Sequence, residues 1–377
     1  MAAGAGAGET SDIAAHTVHT AIPLEKICEI RYNKNTEHGE KRGRFMMTNK
    51  KMTMDDIAER AGVAKSTVSR YFNGGSVKEA TRKKIQKVIE KYNYEPNAFA
   101  RLNAKQSNLI GVVVPTLNSR VTSRVMTSID RYLRERDYTT LIRSSDHDVE
   151  LELQNIQKLI RLNVDGILVS AITITEEHKK LMEKAEIPIV VIAQECENGI
   201  SIIDDDYRAG KYMGEYIGKT GHQNVAVISV YETDAAVGRE RKQGILDGLS
   251  AWGITDPLVE ESDYSYQGGQ DAARRILEQN KAVDAIICAT DRLAFGAYRV
   301  LQEAGLRIPE DVSVTGFGGY EESELLTPQL TTIRFDSYAM GYLGAETLLR
   351  LLKEEPVPKK LIIDYKMIEG SSVKNRK

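Results

Sequence analysis

The chain has 377 residues, of which 28% are charged and only 6% aromatic, with a formal net charge of −3. That length allows two or three domains with a substantial buried core. No apolar run approaches the roughly 18 residues a membrane span needs, and Cys28, Cys196 and Cys288 lie too far apart for a disulfide framework or a zinc site, which points to a reducing compartment.

The first fifty residues differ from the rest. MAAGAGAGETSDIAAHTVHT has no apolar signal-peptide core, and residues 1–51 read as a disordered leader, with Met46, Met47, Met52 and Met54 as alternative starts. His16, His19 and His38 fall here without the clustering of metal ligands. The basic run KRGRFMMTNKK reads as solvated charge or as an arm on a DNA backbone.

Residues 52–96 read as a small all-α unit. Thr53 and Asp56 have capping-box spacing, Asp55 suits the positive end of a helix, and Ile57, Ala58 and Ala61 repeat at helical period up to the turn at Gly62. A second helix packs across the first through Val63 and Val68, which gives a helix-turn-helix. Its other side carries Lys65, Ser66, Thr67, Ser69, Arg70 and Asn73, short polar or cationic side chains that suit phosphates and base edges. Ser76 and Glu79 have capping spacing before a third helix, whose Ile85, Val88, Ile89 and Tyr92 are expected to close the core. From 52 to 107 there are eleven Lys and Arg against six Asp and Glu, so this segment is basic in an acidic chain.

The strings DIAERAGVAKSTVSRYFNG, TRKKIQKVIEKYNYEPNAFAR and LIGVVVP resemble the lactose-repressor/galactose-repressor family of bacterial transcription regulators over about residues 52 to 370. The resemblance implies a dimer on double-stranded operator DNA whose grip is changed by a small ligand. It also implies that residues 97–108 are a hinge that folds on DNA and wedges a leucine into the minor groove. Leu102 is the candidate, in a hinge about one residue shorter than usual. Lys65, Ser66 and Arg70 are then expected to read bases, with Thr53, Thr67, Ser69 and Asn73 on phosphates.

From Leu109 onward, short apolar runs alternate with amphipathic helices. LIGVVVPTL, YTTLIRSS, DGILVSA and IPIVVIAQ form one series of strands, and NVAVISV, DAIICAT and VSVTGFG a second. Such alternation predicts α/β architecture: two doubly wound parallel-sheet lobes with a cleft between them, across residues 109–377. This is similar to the periplasmic sugar-binding fold. The resemblance adds three crossings between lobes, near Asp205, Arg334 and Glu355, so that lobe 1 spans about 109–205 and 335–354 and lobe 2 about 206–334 and 355–377.

Ligands on such sheets bind beyond the carboxyl ends of the strands. That singles out Asn118, Ser119 and Arg120 after the first strand, Gln194 after the fourth and Asp291 after CAT. In AVGRERKQG, Arg241 falls on the position from which the family sends an arginine to sugar hydroxyls, with Arg239 beside it. Where many relatives carry an aspartate pair, this chain has Gly318 and Gly319, and arginines with fewer acids suit an anionic effector. A phosphorylated sugar is therefore expected, with a neutral sugar as the alternative. Release of DNA by the ligand is the expected sign, and corepression remains open.

His222 is read as a turn residue and Trp252 as a packing residue. The run Asp204, Asp205, Asp206 resembles a Mg²⁺ site, but successive strand residues point to opposite faces. With no nucleophile elbow, phosphate loop or zinc spacing, no catalytic residue, metal or cofactor is expected. A sugar carrier is the competing class, although it would have no use for the basic headpiece. The chain ends at SSVKNRK without a heptad tail, so a homodimer is expected rather than a tetramer.

Overall fold

A computed structural model of the chain describes residues 52–72, 75–92, 94, 106–279 and 282–377. The leader, Asn73 and the hinge with Leu102 lie outside the described residues.

The headpiece begins with α1 (Met54–Ala61). Thr53 and Asp56 form the reciprocal box: the Thr53 amide donates to Asp56 Oδ2 at 2.8 Å and the Asp56 amide to Thr53 Oγ1 at 3.3 Å. Gly62 ends the helix at φ 65°, a left-handed conformation that glycine adopts without steric cost. After this turn come α2 (Lys65–Phe72) and α3 (Glu79–Tyr92), which starts at Glu79 rather than just after Ser76. Ile57, Val68 and Ile85 are fully buried at their junction. Tyr92, expected in this core, lies exposed instead. Its hydroxyl accepts from Arg60 Nη1 at 2.7 Å, and Tyr94 is the buried aromatic. Removing the cap oxygen with Thr53→Ala is expected to cost about 1 kcal/mol, measured as faster hydrogen exchange of the α1 amides in the full chain.

Where the chain enters the first lobe, Asp165 accepts hydrogen bonds from the Ser107 amide, the Ser107 hydroxyl and the Asn108 amide at 2.7–2.8 Å. Lobe 1 is a six-stranded sheet in the order β11-β5-β4-β3-β1-β2, in which every neighbouring pair is parallel. Its strands are β1 (Leu109–Val114), β2 (Thr139–Ser144), β3 (Gly166–Ser170), β4 (Ile189–Ile192), β5 (Ile200–Asp204) and β11 (Lys360–Ile363). Helices α4 (Arg120–Arg134), α5 (Val149–Arg161) and α6 (Glu176–Lys184) connect the first four strands. Each helix is held at its start by a side chain from Ser119, Asp148 or Thr175.

Lobe 2 repeats the plan in the order β12-β10-β9-β8-β6-β7. These are β6 (Val225–Val230), β7 (Leu258–Ser262), β8 (Ala285–Cys288), β9 (Ser313–Phe317), β10 (Thr331–Phe335) and β12 (Tyr365–Ile368). The helices are α7 (Asp206–Lys219), α8 (Lys242–Ser250), α9 (Tyr266–Glu278), α10 (Asp291–Glu303) and the short α11 (Glu321–Leu325). Edge strand β12 runs antiparallel to β10, so this sheet is not wholly parallel. The core strands are apolar on both faces, as burial between two helical layers requires, and Ala226, Val227 and Ile228 are all fully buried.

The chain crosses from β5 to α7 at Asp205 and from β10 to α12 (Ser337–Leu352) at Asp336. The third crossing corrects the expectation. Strand β11 pairs with β5 of lobe 1, so the chain passes to lobe 2 at Asp364, not near Glu355. His222 is a turn residue that also ties the sheet, with Nε2 2.8 Å from Ser313 Oγ. Burial pushes its pKa down.

Candidate functional site

Two places bring functional side chains together: the outer face of α2 and the cleft between the lobes.

On α2, Lys65, Ser66 and Arg70 are exposed, while Thr67 and Ser69 are half-buried. Lys65 Nζ meets Asp55 Oδ2 at 2.8 Å with both side chains largely in solvent, an arrangement worth only about 0–1 kcal/mol. It can therefore be exchanged for a phosphate or a base edge. The Thr53 hydroxyl is committed to the α1 cap, so its cap role comes first.

In the cleft, Arg241 and Gln194 converge with residues the sequence reading missed. Residues Ala235–Arg241 form a π-helical turn, and this widened turn brings Arg241 under the lobe junction, where it is 6% exposed. Its Nε donates to Asp206 Oδ1 at 2.8 Å, a second nitrogen shares that oxygen, and Nη1 donates to the Ala289 carbonyl at 2.7 Å. The guanidinium lies over the rings of Phe317 and Phe335, 4.8 and 5.3 Å from their centroids. Asp206 opens α7 directly after the first crossing. Burial pushes the Asp206 carboxyl up against the opposing pull of Arg241. Burial, then the charge of Asp206, pushes the neighbouring Asp204 well above the usual carboxylate range, and its Oδ1 has no partner among the described residues. Asp205 instead accepts from the Arg208 amide as the cap of α7. The three aspartates thus serve different partners, and among the described residues no group of three acidic, His or Cys side chains is arranged to hold a metal.

Asp234 is the second centre. It caps the π-turn through the Val237 amide (2.9 Å), accepts from Gln194 Nε2 of lobe 1 (3.1 Å) and from the Tyr264 hydroxyl (2.6 Å). Burial and the adjacent Asp234 push the Tyr264 phenol well up. His147, from the loop after β2, stacks on the Tyr264 ring at 5.9 Å and 18°. Tyr264 was missed because β7 reads as a polar run, LVEES, and the loop after an unrecognised strand draws no attention.

The other candidates separate. Ser119 Oγ caps α4. Asn118 offers its carbonyl to Arg292 Nη1 across the cleft at 3.1 Å, and Arg120 is paired with Glu322 of lobe 2. Arg239 is exposed, whereas Arg241 is buried. Asp291, expected to face ligand, is fully buried: it accepts from the Tyr320 amide, the Ser323 hydroxyl and the Thr332 hydroxyl at 2.5–3.0 Å and so shapes the loop after β9. Arg241, expected to reach sugar hydroxyls, is paired with Asp206, which neutralises its charge.

A helix-turn-helix headpiece leading into a two-lobed body with a polar cleft defines a DNA-binding regulator built on a ligand-binding fold. The family described as bacterial regulatory proteins, lacI family, matches residues 53–97, and that described as periplasmic binding proteins and sugar binding domain of LacI family matches residues 107–371. The chain belongs to the LacI family, and it is a transcription regulator rather than an enzyme. The sucrose operon repressor of Staphylococcus xylosus is 31% identical over 310 residues, 82% of this chain and 96% of that protein. Catabolite control protein A of Priestia megaterium is 29% identical over 317 residues, 82% and 96% of the two chains. The lac repressor dimer bound to operator and the anti-inducer ONPF superimposes with a TM-score of 0.76 at 28% identity, covering 86% of this chain and 100% of that one. A regulator in complex with cellobiose gives a TM-score of 0.65 at 26% identity, covering 85% and 99%.

Proposed function

We propose that the protein is a homodimeric, cytoplasmic repressor of a carbohydrate-utilisation operon, released from operator DNA by a sugar or sugar phosphate bound between the lobes. One headpiece reads a half-site, so two copies related by a two-fold axis suit a near-palindrome. On α2, Lys65, Ser66 and Arg70 face base edges, with Thr67, Ser69, Asn73 and the Thr53 end of α1 toward phosphates, and Leu102 belongs to the hinge. Arg241, Gln194, Asp234 and Tyr264 supply forked donors, acceptors and a ring face, the chemistry that sugar hydroxyls and their apolar faces need.

The observation that carries this reading is the Arg241–Asp206 pair. Asp206 stands at a crossing between lobes, so a ligand that takes hydrogen bonds from Arg241 acts directly on that crossing. Such a ligand shifts the equilibrium between lobe arrangements only by its differential affinity for them. The test is a thermal-shift screen of neutral sugars and their phosphates, followed by operator binding with each hit. A ligand that raises the melting temperature is expected to weaken operator binding about 5–150-fold, the usual range of coupling. Tighter operator binding would establish corepression instead, and silence across the sugars would remove the carbohydrate assignment.

A further inference from the structure

We propose that Arg124, Arg292 and Tyr320 form a second subsite of the cleft, which takes the phosphate of a phosphorylated sugar. This rests on the cleft being the effector site and names the class of effector.

The anion has to be held away from Arg241, which Asp206 already occupies. On the side of the cleft where α4 faces α11, Arg124 of lobe 1 donates to the Gly319 carbonyl from both terminal nitrogens at 3.4 Å, long bonds that an anion can replace. From lobe 2, Arg292 reaches the Asn118 carbonyl, two residues before Arg120. The loop that Arg124 touches is the Gly318–Gly319 pair, where carboxylates would compete with a bound anion, and Asp291, next to Arg292, accepts from the amide of Tyr320 that follows it. Gly319 sits at φ 57°, and a Cβ there would stand 2.5 Å from the Arg334 side chain, so any side chain at this position is strained.

Tyr320 completes the site. Its phenol makes no hydrogen bond to another described residue. Burial, with the charge of Asp291, pushes its pKa up to about 12 against the pull of Arg241, Arg124 and Arg292. The hydroxyl is therefore protonated and able to donate to an anion.

What now occupies the arginines is the acidic start of α11. Glu321 meets Arg124 at 2.8 Å and Glu322 meets Arg120, with Glu321 72% exposed. Arg124 is itself largely buried, but Glu321 reaches it from solvent, and a carboxylate held from the water side is the partner that can leave. A phosphate dianion offers more acceptor oxygens and accepts a forked guanidinium from two sides at once. In the free protein Glu321 stands where the effector's anion goes, with Glu322 beside it on Arg120, and binding exchanges Glu321 for the anion.

The experiment uses the full chain and two kinds of probe. Inorganic phosphate, compared with chloride at equal ionic strength, is expected to raise the melting temperature by about 2 °C or more. The rise should vanish in the Arg124→Gln/Arg292→Gln double variant and grow in Glu321→Gln/Glu322→Gln, an opposite sign that general destabilisation does not produce. Sucrose against sucrose 6-phosphate, and trehalose against trehalose 6-phosphate, are the second probes. At least one phosphate is expected to bind on the order of 100-fold tighter than its parent, a preference that the arginine double variant reduces to a few-fold. Phosphate no better than chloride, or a phosphate response that survives the arginine substitutions, overturns the subsite. Neutral sugars binding as well as their phosphates would overturn it too, while leaving the cleft as effector site. A phosphate response lost in the arginine variants, with no sugar bound at all, would sustain the subsite and remove the carbohydrate reading.

Discussion

Arg241→Ala is expected to destabilise the body by about 3–5 kcal/mol near pH 8, because truncating one partner of a buried pair leaves the other charge uncompensated. In a unit of this size that lowers the melting temperature by on the order of 10 °C. The loss depends on pH in a definite direction. The carboxyls of Asp206 and Asp204 are already raised above their ordinary value by burial, and without the guanidinium they rise further. A carboxyl whose folded pKa is raised stabilises the fold while it stays protonated and loses that contribution as the pH climbs through the folded value. The deficit of the variant should therefore shrink as the pH is lowered from 8 to 5. Thermal melts across that range decide it: a deficit that is constant or grows toward acid would mean that the pair does not carry the charge balance of the hinge. Effector binding should be lost in the same variant at every pH.

Arg70→Ala should leave those melts unchanged and act on DNA alone. An arginine that forks onto a base is worth about 1–3 kcal/mol, which is roughly 5- to 150-fold in affinity for each half-site. In a dimer on a palindrome the two losses compound. The sign that Arg70 reads sequence is a relaxed preference at one base pair of each half-site, measured by binding to an operator and its single-base variants. Uniform weakening on every sequence, with a shallower salt dependence, would place Arg70 on a phosphate instead.

Much of this was legible before any coordinates. Thr53, Asp56, Gly62 and the Ile57/Val68/Ile85 core announce the headpiece because caps and apolar period are local signals. The central strands stand out for a related reason: buried on both faces, they must be continuously apolar. Strands β5, β7, β10, β11 and β12 were missed, since LVEES mixes charged with apolar residues on a sheet edge and TTIRF opens on two threonines, buried in the fold but polar in the sequence. The site suffered more than the fold. Arg241 was found by its place in a pattern, but its partner Asp206 lies 35 positions away, and no local signal joins the two. Asp291 misled in the opposite way: a carboxylate at a strand end looks available to ligand until the loop amides and hydroxyls that consume it are in view. Asp234, Tyr264 and Arg124 have meaning only once two lobes face each other.

The late return of the chain to lobe 1 has a consequence for how the protein is made. Helix α12, with Leu348 and Leu349 buried in the lobe 1 core, and strand β11 both come after almost all of lobe 2. During synthesis the earlier strands of lobe 1 must wait, unsealed on one side, until Ile363 has emerged, whereas the stretch from 206 to 335 can already collapse on itself. The headpiece, made before the body, is thus attached to a body that becomes able to respond to effector only once β11 has emerged. Messages truncated before β11 would yield chains that carry a DNA reader with no working control.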